Sequence, residues 1–160
     1  MSDEWNALNL VVKTWKAAGY KLIFTNGCFD MLHDGHKALL AFAKKQAGKV
    51  LVGLNSDDSV TRLKGENRPK YSADIRSKQL LDTNYVDAVV IFNDDTPRAL
   101  IEMLEPDILI KGDDYGFETT IGAPEVEAKG GKVLFFKKLP GISTSDIINK
   151  TEKNIETNQE

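Results

Sequence analysis

The sequence predicts a single α/β domain built on a doubly wound, five-stranded parallel sheet. Three observations carry that expectation. Five short runs, "KLIFTN" (21–26), "KVLVGLN" (49–55), "DAVVIF" (87–92), "DILIKG" (107–112) and "KVLFF" (132–136), are mostly apolar at successive positions instead of alternating, as strands covered on both faces are. Segments of helical periodicity lie between them. The connections are a few residues long, so strand and helix succeed one another in the order that winds helices onto a parallel sheet.

Taken in order, residues 4–18 place Trp5, Leu8, Val11, Val12 and Trp15 at helical spacing. This leading helix is expected to pack on the sheet or on a partner subunit, with both tryptophans used in packing. After the first strand, "HKALLAFAKKQAG" sets Leu39, Leu40, Phe42 and Ala43 on one side and stops at Gly48. A helix starts at Ser72 in "SADIRSKQLLDTN", and "TPRALIEML" opens with Thr96 as N-cap and Pro97 at the first helical position. Lys64 and Arg68 of "NSDDSVTRLKGENRPKYSADIR" read as lying in a polar loop with Gly and Pro, outside the sheet. Residues 1–150 are assigned to one domain and the polar residues 151–160 to a fraying tail, with no internal repeat or linker.

Bulk properties narrow the classes of function. The chain has 160 residues, enough for one core without disulfide or metal support, and a formal net charge of −3. No overall basic field advertises nucleic acid or an anionic membrane, so an anionic ligand has to be gripped locally. Cys28 is the single cysteine, which excludes an internal disulfide and a Cys-rich zinc module and suits a reducing cytoplasm. The N-terminus lacks a basic segment followed by an apolar run, and no window approaches the ~20 apolar residues of a membrane span. A cytoplasmic location is the expectation.

Both histidines of the chain, His33 and His36, fall in "FTNGCFDMLHDGHKALLAFAKK", where the first strand gives way to a helix. In an open parallel sheet ligands bind beyond the carboxyl ends of the strands, and a helix N-terminus carries N–H groups and partial positive charge suited to phosphate. Gly27 and Gly35 permit close backbone approach, and each imidazole can donate a hydrogen bond to a phosphate oxygen. Three other readings compete. One histidine is structural and the other merely exposed; or Asp30, Asp34, His33 and His36 surround a divalent ion; or Cys28 is a nucleophile with His33 as its base.

Two further stretches favour phosphate. "NSDDSVTRLKGENRPKYSADIR" gathers Arg62, Lys64, Arg68, Lys70 and Arg76, which together suit a phosphorylated substrate and a triphosphate tail, although singly each reads as a solvated surface charge. "GISTSDII" (141–148) has Ser143 and Asp146 at capping-box spacing before an apolar helical face.

With "DTPRALIEMLEPDILIKGDDY", these motifs stand in the order of the nucleotidyltransferases that carry the His-x-Gly-His signature. From about Lys21 to Lys150 the chain resembles that superfamily, and within it the adenylyltransferase half of bifunctional heptose kinase/adenylyltransferases. The resemblance implies a Rossmann-like nucleotidyltransferase fold. It also implies attack by an anomeric sugar phosphate on the α-phosphate of ATP, with release of pyrophosphate and no covalent enzyme intermediate. By the family pattern His33 and His36 hold the α-phosphate region and stabilise its transition state. Lys64, taken as catalytic, and Arg68 approach the sugar phosphate or the triphosphate, with Arg76 beside them as a substrate-binding residue. Asn26, Gly27, Phe29 and Gly35 line the nucleotide cleft. Lys111, Gly112 and Asp114 close the base and ribose side, and Ser143 and Thr144 reach the phosphates. Mg²⁺ travels with ATP and no dedicated protein metal site is expected. A homodimer is implied.

The pattern departs in three places. No sugar-kinase half is present in the 160 residues, so the phosphorylated sugar is expected from elsewhere. Asp113 stands where the heptose enzymes usually carry a second glycine, and Ser145 where threonine is common. "GDDY" also resembles glycerol-3-phosphate cytidylyltransferases, which supplies the alternative of a cytidylyltransferase for glycerol phosphate. A non-catalytic nucleotide-binding module is the third reading, and the histidine pair argues against it. A class I aminoacyl-tRNA synthetase also carries His-x-Gly-His, but this chain lacks a Lys-Met-Ser-Lys-Ser-like loop.

Overall fold

A computed structural model describes residues 3–112 and 121–136. In chain order these form α1 (Asp3–Ala17), β1 (Leu22–Gly27), α2 (Asp34–Lys44), β2 (Lys49–Asn55), α3 (Asp57–Lys64), α4 (Ala73–Asp82), β3 (Ala88–Phe92), α5 (Arg98–Leu104), β4 (Ile108–Gly112), α6 (Ala123–Ala128) and β5 (Lys132–Phe136). The strands form one parallel sheet in the order β3-β2-β1-β4-β5. All five expected strands are present, each within one residue of its expected limits.

Successive residues of each strand feed two cores, which is why the strands read as unbroken apolar runs. On one face Ile23, Val50, Val52, Leu54, Ile108 and Ile110 meet Ala38, Leu40, Phe42 and Ala43 of α2 and Leu80 of α4. On the other face Leu22, Phe24, Leu51, Val90 and Leu109 meet Val12 of α1, Leu100, Ile101 and Leu104 of α5, and Ala123 and Val126 of α6. Trp5, Leu8 and Trp15 pack against this second core, and Trp5 Nε1 donates to the Ile91 carbonyl at 3.1 Å. The leading helix therefore lies on the sheet, although Val11, expected on its packed face, is exposed.

The helices differ from expectation in four places, one of them the end of α2, which falls at Lys44 and not at Gly48. Helix α3 occupies part of the stretch read as loop. Its buried residues are only Ser59 and Val60, too few for an apolar stripe, and it is held by Ser56 Oγ accepting the Ser59 N–H at 3.1 Å, with Asp57 and Asp58 in its first turn. The six-residue α6 was also unforeseen. Its N-cap is Gly122, whose φ of +88° suits glycine. At α5 the expected Thr96 cap is absent: Pro97, with φ −85° and ψ 15°, is itself the boundary residue and no side chain caps the helix. Proline loses nothing there because its missing N–H would have had no intrahelical partner.

Candidate active site

From β1 the chain moves through β2 to β3 on one side and returns to place β4 and β5 on the other. This reversal opens a crevice between the carboxyl ends of β1 and β4, the position where open parallel sheets bind ligands. A cleft of about 770 Å³ lies there. Asn26 and Gly27 end β1, Lys111 and Gly112 end β4, and Lys111 Nζ donates to Asn26 Oδ1 across the pair of strands.

The two histidines are organised by the start of α2. His33 is its N-cap in extended conformation, with Nδ1 accepting the N–H groups of Gly35 at 3.1 Å and His36 at 3.4 Å. His36 returns the bond: its Nδ1 accepts the His33 N–H at 3.4 Å, completing a capping box made of two imidazoles. The rings stack with centroids 3.7 Å apart and 19° between planes. A ring nitrogen that accepts carries no proton, so each neutral ring holds its proton on Nε2 and is a donor there. The helix N-terminus was expected to present N–H groups to phosphate, and two of them, those of Gly35 and His36, are taken by His33. The helix start can still offer an anion its field and the imidazole donors.

Phe29 sets the back of this pair. Its ring lies edge-on to His36, with centroids 5.1 Å apart, and its own backbone takes a φ of +46°. A Cβ on Gly27 would stand 3.0 Å from that ring, so the glycine makes room for Phe29.

Lys64, the last residue of α3, and Arg68, in the segment 65–71 that follows it, also line the cleft. The carboxylate of Asp30, almost wholly buried, latches this segment by accepting from Arg68 Nε and from the N–H groups of Lys70 at 2.8 Å and Tyr71 at 3.2 Å. Burial pushes the Asp30 carboxyl up, but those donors outweigh it and hold it below the ordinary aspartate value. Asp30 is thus committed as a structural acceptor. Among the described residues no three His, Cys, Asp or Glu side chains form a group able to hold a metal ion.

Two sequence readings change here. Arg76, expected at the substrate, is fully buried on α4 and does not line the cleft. Its spacing of four from the equally buried Leu80 was the available sign that it faces inward. Cys28 does border the cleft, but burial pushes its thiol above the ordinary value against the pull of Lys64 and Arg76, the wrong direction for a resting nucleophile.

Of the other expected site residues, Asn26, Gly27, Phe29, His33, His36, Lys64, Arg68, Lys111 and Gly112 all border this one cleft. Gly35 does not line it and serves the cap. Asp114, Ser143 and Thr144, with Asp113, Ser145 and Asp146, lie outside the described residues. The cleft also has members that sequence reasoning passed over, among them Asn55, Leu63, Asp95 and Thr96. Asn55 was legible as the last residue of a strand whose carboxyl end faces the site. Asp95 carried no such signal.

The fold and cleft define a doubly wound parallel α/β domain with an imidazole pair at the switch point. Comparison with known proteins identifies the family: the chain belongs to the cytidylyltransferase-like family, whose model matches residues 24–150. It is 48% identical over 144 residues to the bifunctional protein HldE of Paramagnetospirillum magneticum, covering 90% of this chain and 30% of that protein. Against the bifunctional protein HldE of Mesorhizobium japonicum it is 49% identical over 140 residues, 88% of this chain and 28% of that one. The chain thus spans under a third of the length of these relatives. A lipopolysaccharide core biosynthesis protein from Thermoplasma volcanium shares the fold, with a TM-score of 0.62 at 23% identity over 76% of this chain and all of that one.

Proposed function

We propose that this chain is a nucleotidyltransferase that joins AMP from ATP to the phosphate of a sugar 1-phosphate of the D-glycero-D-manno-heptose type and releases pyrophosphate. The observation that carries the reading is that the stacked His33–His36 pair, Lys64 and Arg68 all line one switch-point cleft. An oxygen of the sugar phosphate attacks the α-phosphorus as the bond to the β-phosphate oxygen breaks, and pyrophosphate departs. Charge grows on the α-phosphoryl oxygens during this step. Imidazole donors already fixed by the capping box stabilise it without reorganising, while the two cations hold the flanking phosphates.

Magnesium supplies charge neutralisation on the triphosphate. With Asp30 occupied by Arg68 and backbone donors and Asp95 paired to Arg62, the described residues fit an ion carried in on phosphate oxygens better than one caged by protein. Asn26, Gly27, Phe29, Lys111, Gly112 and Asp114 are the proposed nucleotide side, with Ser143 and Thr144 at the phosphates. ATP as co-substrate and Cys28 as a free thiol suit the cytoplasm. No described helix is long and apolar enough to cross a membrane. A homodimer is the proposed assembly.

Adenine and heptose are preferred because "RLKGENRP" and "DTPRALIE" resemble the heptose adenylyltransferases, in keeping with 48–49% identity to the bifunctional relatives. Asp113 favours a second reading, a cytidylyltransferase for glycerol phosphate. The test is incubation of the purified chain with each nucleoside triphosphate, Mg²⁺ and a panel of sugar and alcohol phosphates, with products read by mass. ADP-heptose formed faster than any cytidine product is expected. Faster turnover with CTP than with ATP on the same acceptor moves the assignment to the second reading, and no product with any pair overturns both.

A further inference from the structure

Arg76 is the largest fully buried side chain among the described residues, and four of its five N–H donors are spent on acceptors in three stretches of the chain, around Cys28, at Asn55 to Asp57 and at Tyr71. Nε donates to the Tyr71 carbonyl at 2.9 Å, and Nη1 to the carbonyls of Cys28 at 2.9 Å and Asn55 at 2.8 Å. Nη2 pairs with Asp57 Oδ1 at 2.6 Å. Each acceptor belongs to a segment that supplies the cleft. Cys28 lies between Gly27 and Phe29. Asn55 ends β2. Asp57 opens α3, which ends at Lys64, and Tyr71 closes the segment that carries Arg68.

We infer that Arg76 is a positioning residue for the phosphate grip: it fixes Lys64 and Arg68 relative to the histidine-bearing loop without touching substrate, and Asp57 is the counter-charge that holds it. A buried guanidinium is costly unless its charge and donors are satisfied, so satisfying it from these three stretches favours the one arrangement in which they converge. Lysine cannot substitute, because an ammonium is a point charge with three donors and does not span a planar fork of acceptors. Asp30 holds the same segment through Arg68 and the N–H groups of Lys70 and Tyr71. Arg76 and Asp30 therefore both restrain residues 65–71, and of the two only Arg76 also reaches α3.

This inference rests on the functional reading above, and its test separates the two. The full chain and its Arg76→Lys, Asp57→Asn and Lys64→Ala/Arg68→Ala variants are titrated by calorimetry with MgATP and with heptose 1-phosphate, following whichever ligand the Lys64→Ala/Arg68→Ala change weakens. Alone, Arg76→Lys is expected to raise Kd about tenfold, the scale of one hydrogen bond to a charged group. Placed on Lys64→Ala/Arg68→Ala it should add less than about twofold, because its effect passes through residues already removed. A residue that merely supports the fold would give the same factor in both backgrounds, and that result, or no change in either, overturns the proposal. Asp57 is half-exposed and asparagine keeps its size, so Asp57→Asn runs the same cycle even where Arg76→Lys does not fold. A wild-type chain that binds MgATP yet makes no nucleotide sugar overturns the acceptor reading alone. One that binds neither ligand overturns both readings.

Discussion

The two ring nitrogens of His33 have separate tasks, and substitutions that keep one and remove the other separate them. Nδ1 caps α2 through the N–H groups of Gly35 and His36, whereas Nε2 is the proposed donor to the α-phosphate. Asparagine places an acceptor near the position of Nδ1 and nothing at Nε2. Glutamine does the reverse, and alanine lacks both. An N-cap side chain is worth ~1 kcal/mol, which at this chain length is ~2–4 °C in melting temperature. His33→Asn should therefore melt close to wild type, while His33→Gln and His33→Ala fall by that amount. Loss of a preorganised transition-state donor costs ~10² to 10³ in turnover, expected for His33→Asn and His33→Ala and only partly for His33→Gln. The assay is turnover at saturating substrates beside a melting curve of the same preparation. Near-normal turnover in a stable His33→Asn protein would refute the donor role and leave the histidine as a cap.

Lys64→Ala and Arg68→Ala should each lower kcat/KM by roughly ten- to hundredfold, the value of a charge-assisted phosphate contact of ~1.5–3 kcal/mol, and unchanged kinetics would return both to ordinary surface charge. Asp30→Asn should lose about 2–3 kcal/mol at neutral pH, because it removes the buried carboxylate that accepts from Arg68 and two backbone N–H groups. Folding lowers the Asp30 pKa, so that stability is whole above the unfolded value of ~3.9 and is lost as pH falls through the lower folded value. Melting curves from pH 7 downward should show wild type and Asp30→Asn converging in acid, and a constant gap would mean that the carboxylate charge is not what holds the segment. His36→Ala should cut turnover by ~10² to 10³ and, unlike a pure surface change, also cost several tenths of a kcal/mol, because His36 Nδ1 closes the capping box.

By itself the sequence determined what depends on local pattern. The five strands were legible because a parallel strand buried on both faces is an unbroken apolar run, as "KVLVGLN" is, and α4 because Ser72 caps it. His33, His36, Lys64 and Arg68 were legible as candidates because phosphate chemistry calls for donors and cations near a strand end. Helix α3 escaped because its few buried residues leave no periodic stripe, and it is held instead by the Ser56 cap and by the pairing of Asp57 with Arg76 of α4. Which basic residue serves which purpose was decided only in three dimensions. Arg68 and Arg76 look alike in the chain, eight positions apart, yet one lines the cleft beside Asp30 and the other is buried beneath it with four acceptors around it. A charged side chain is buried only where acceptors from distant segments converge to offset its lost hydration, and that convergence is a property of the folded sheet that the chain's local spacing does not encode.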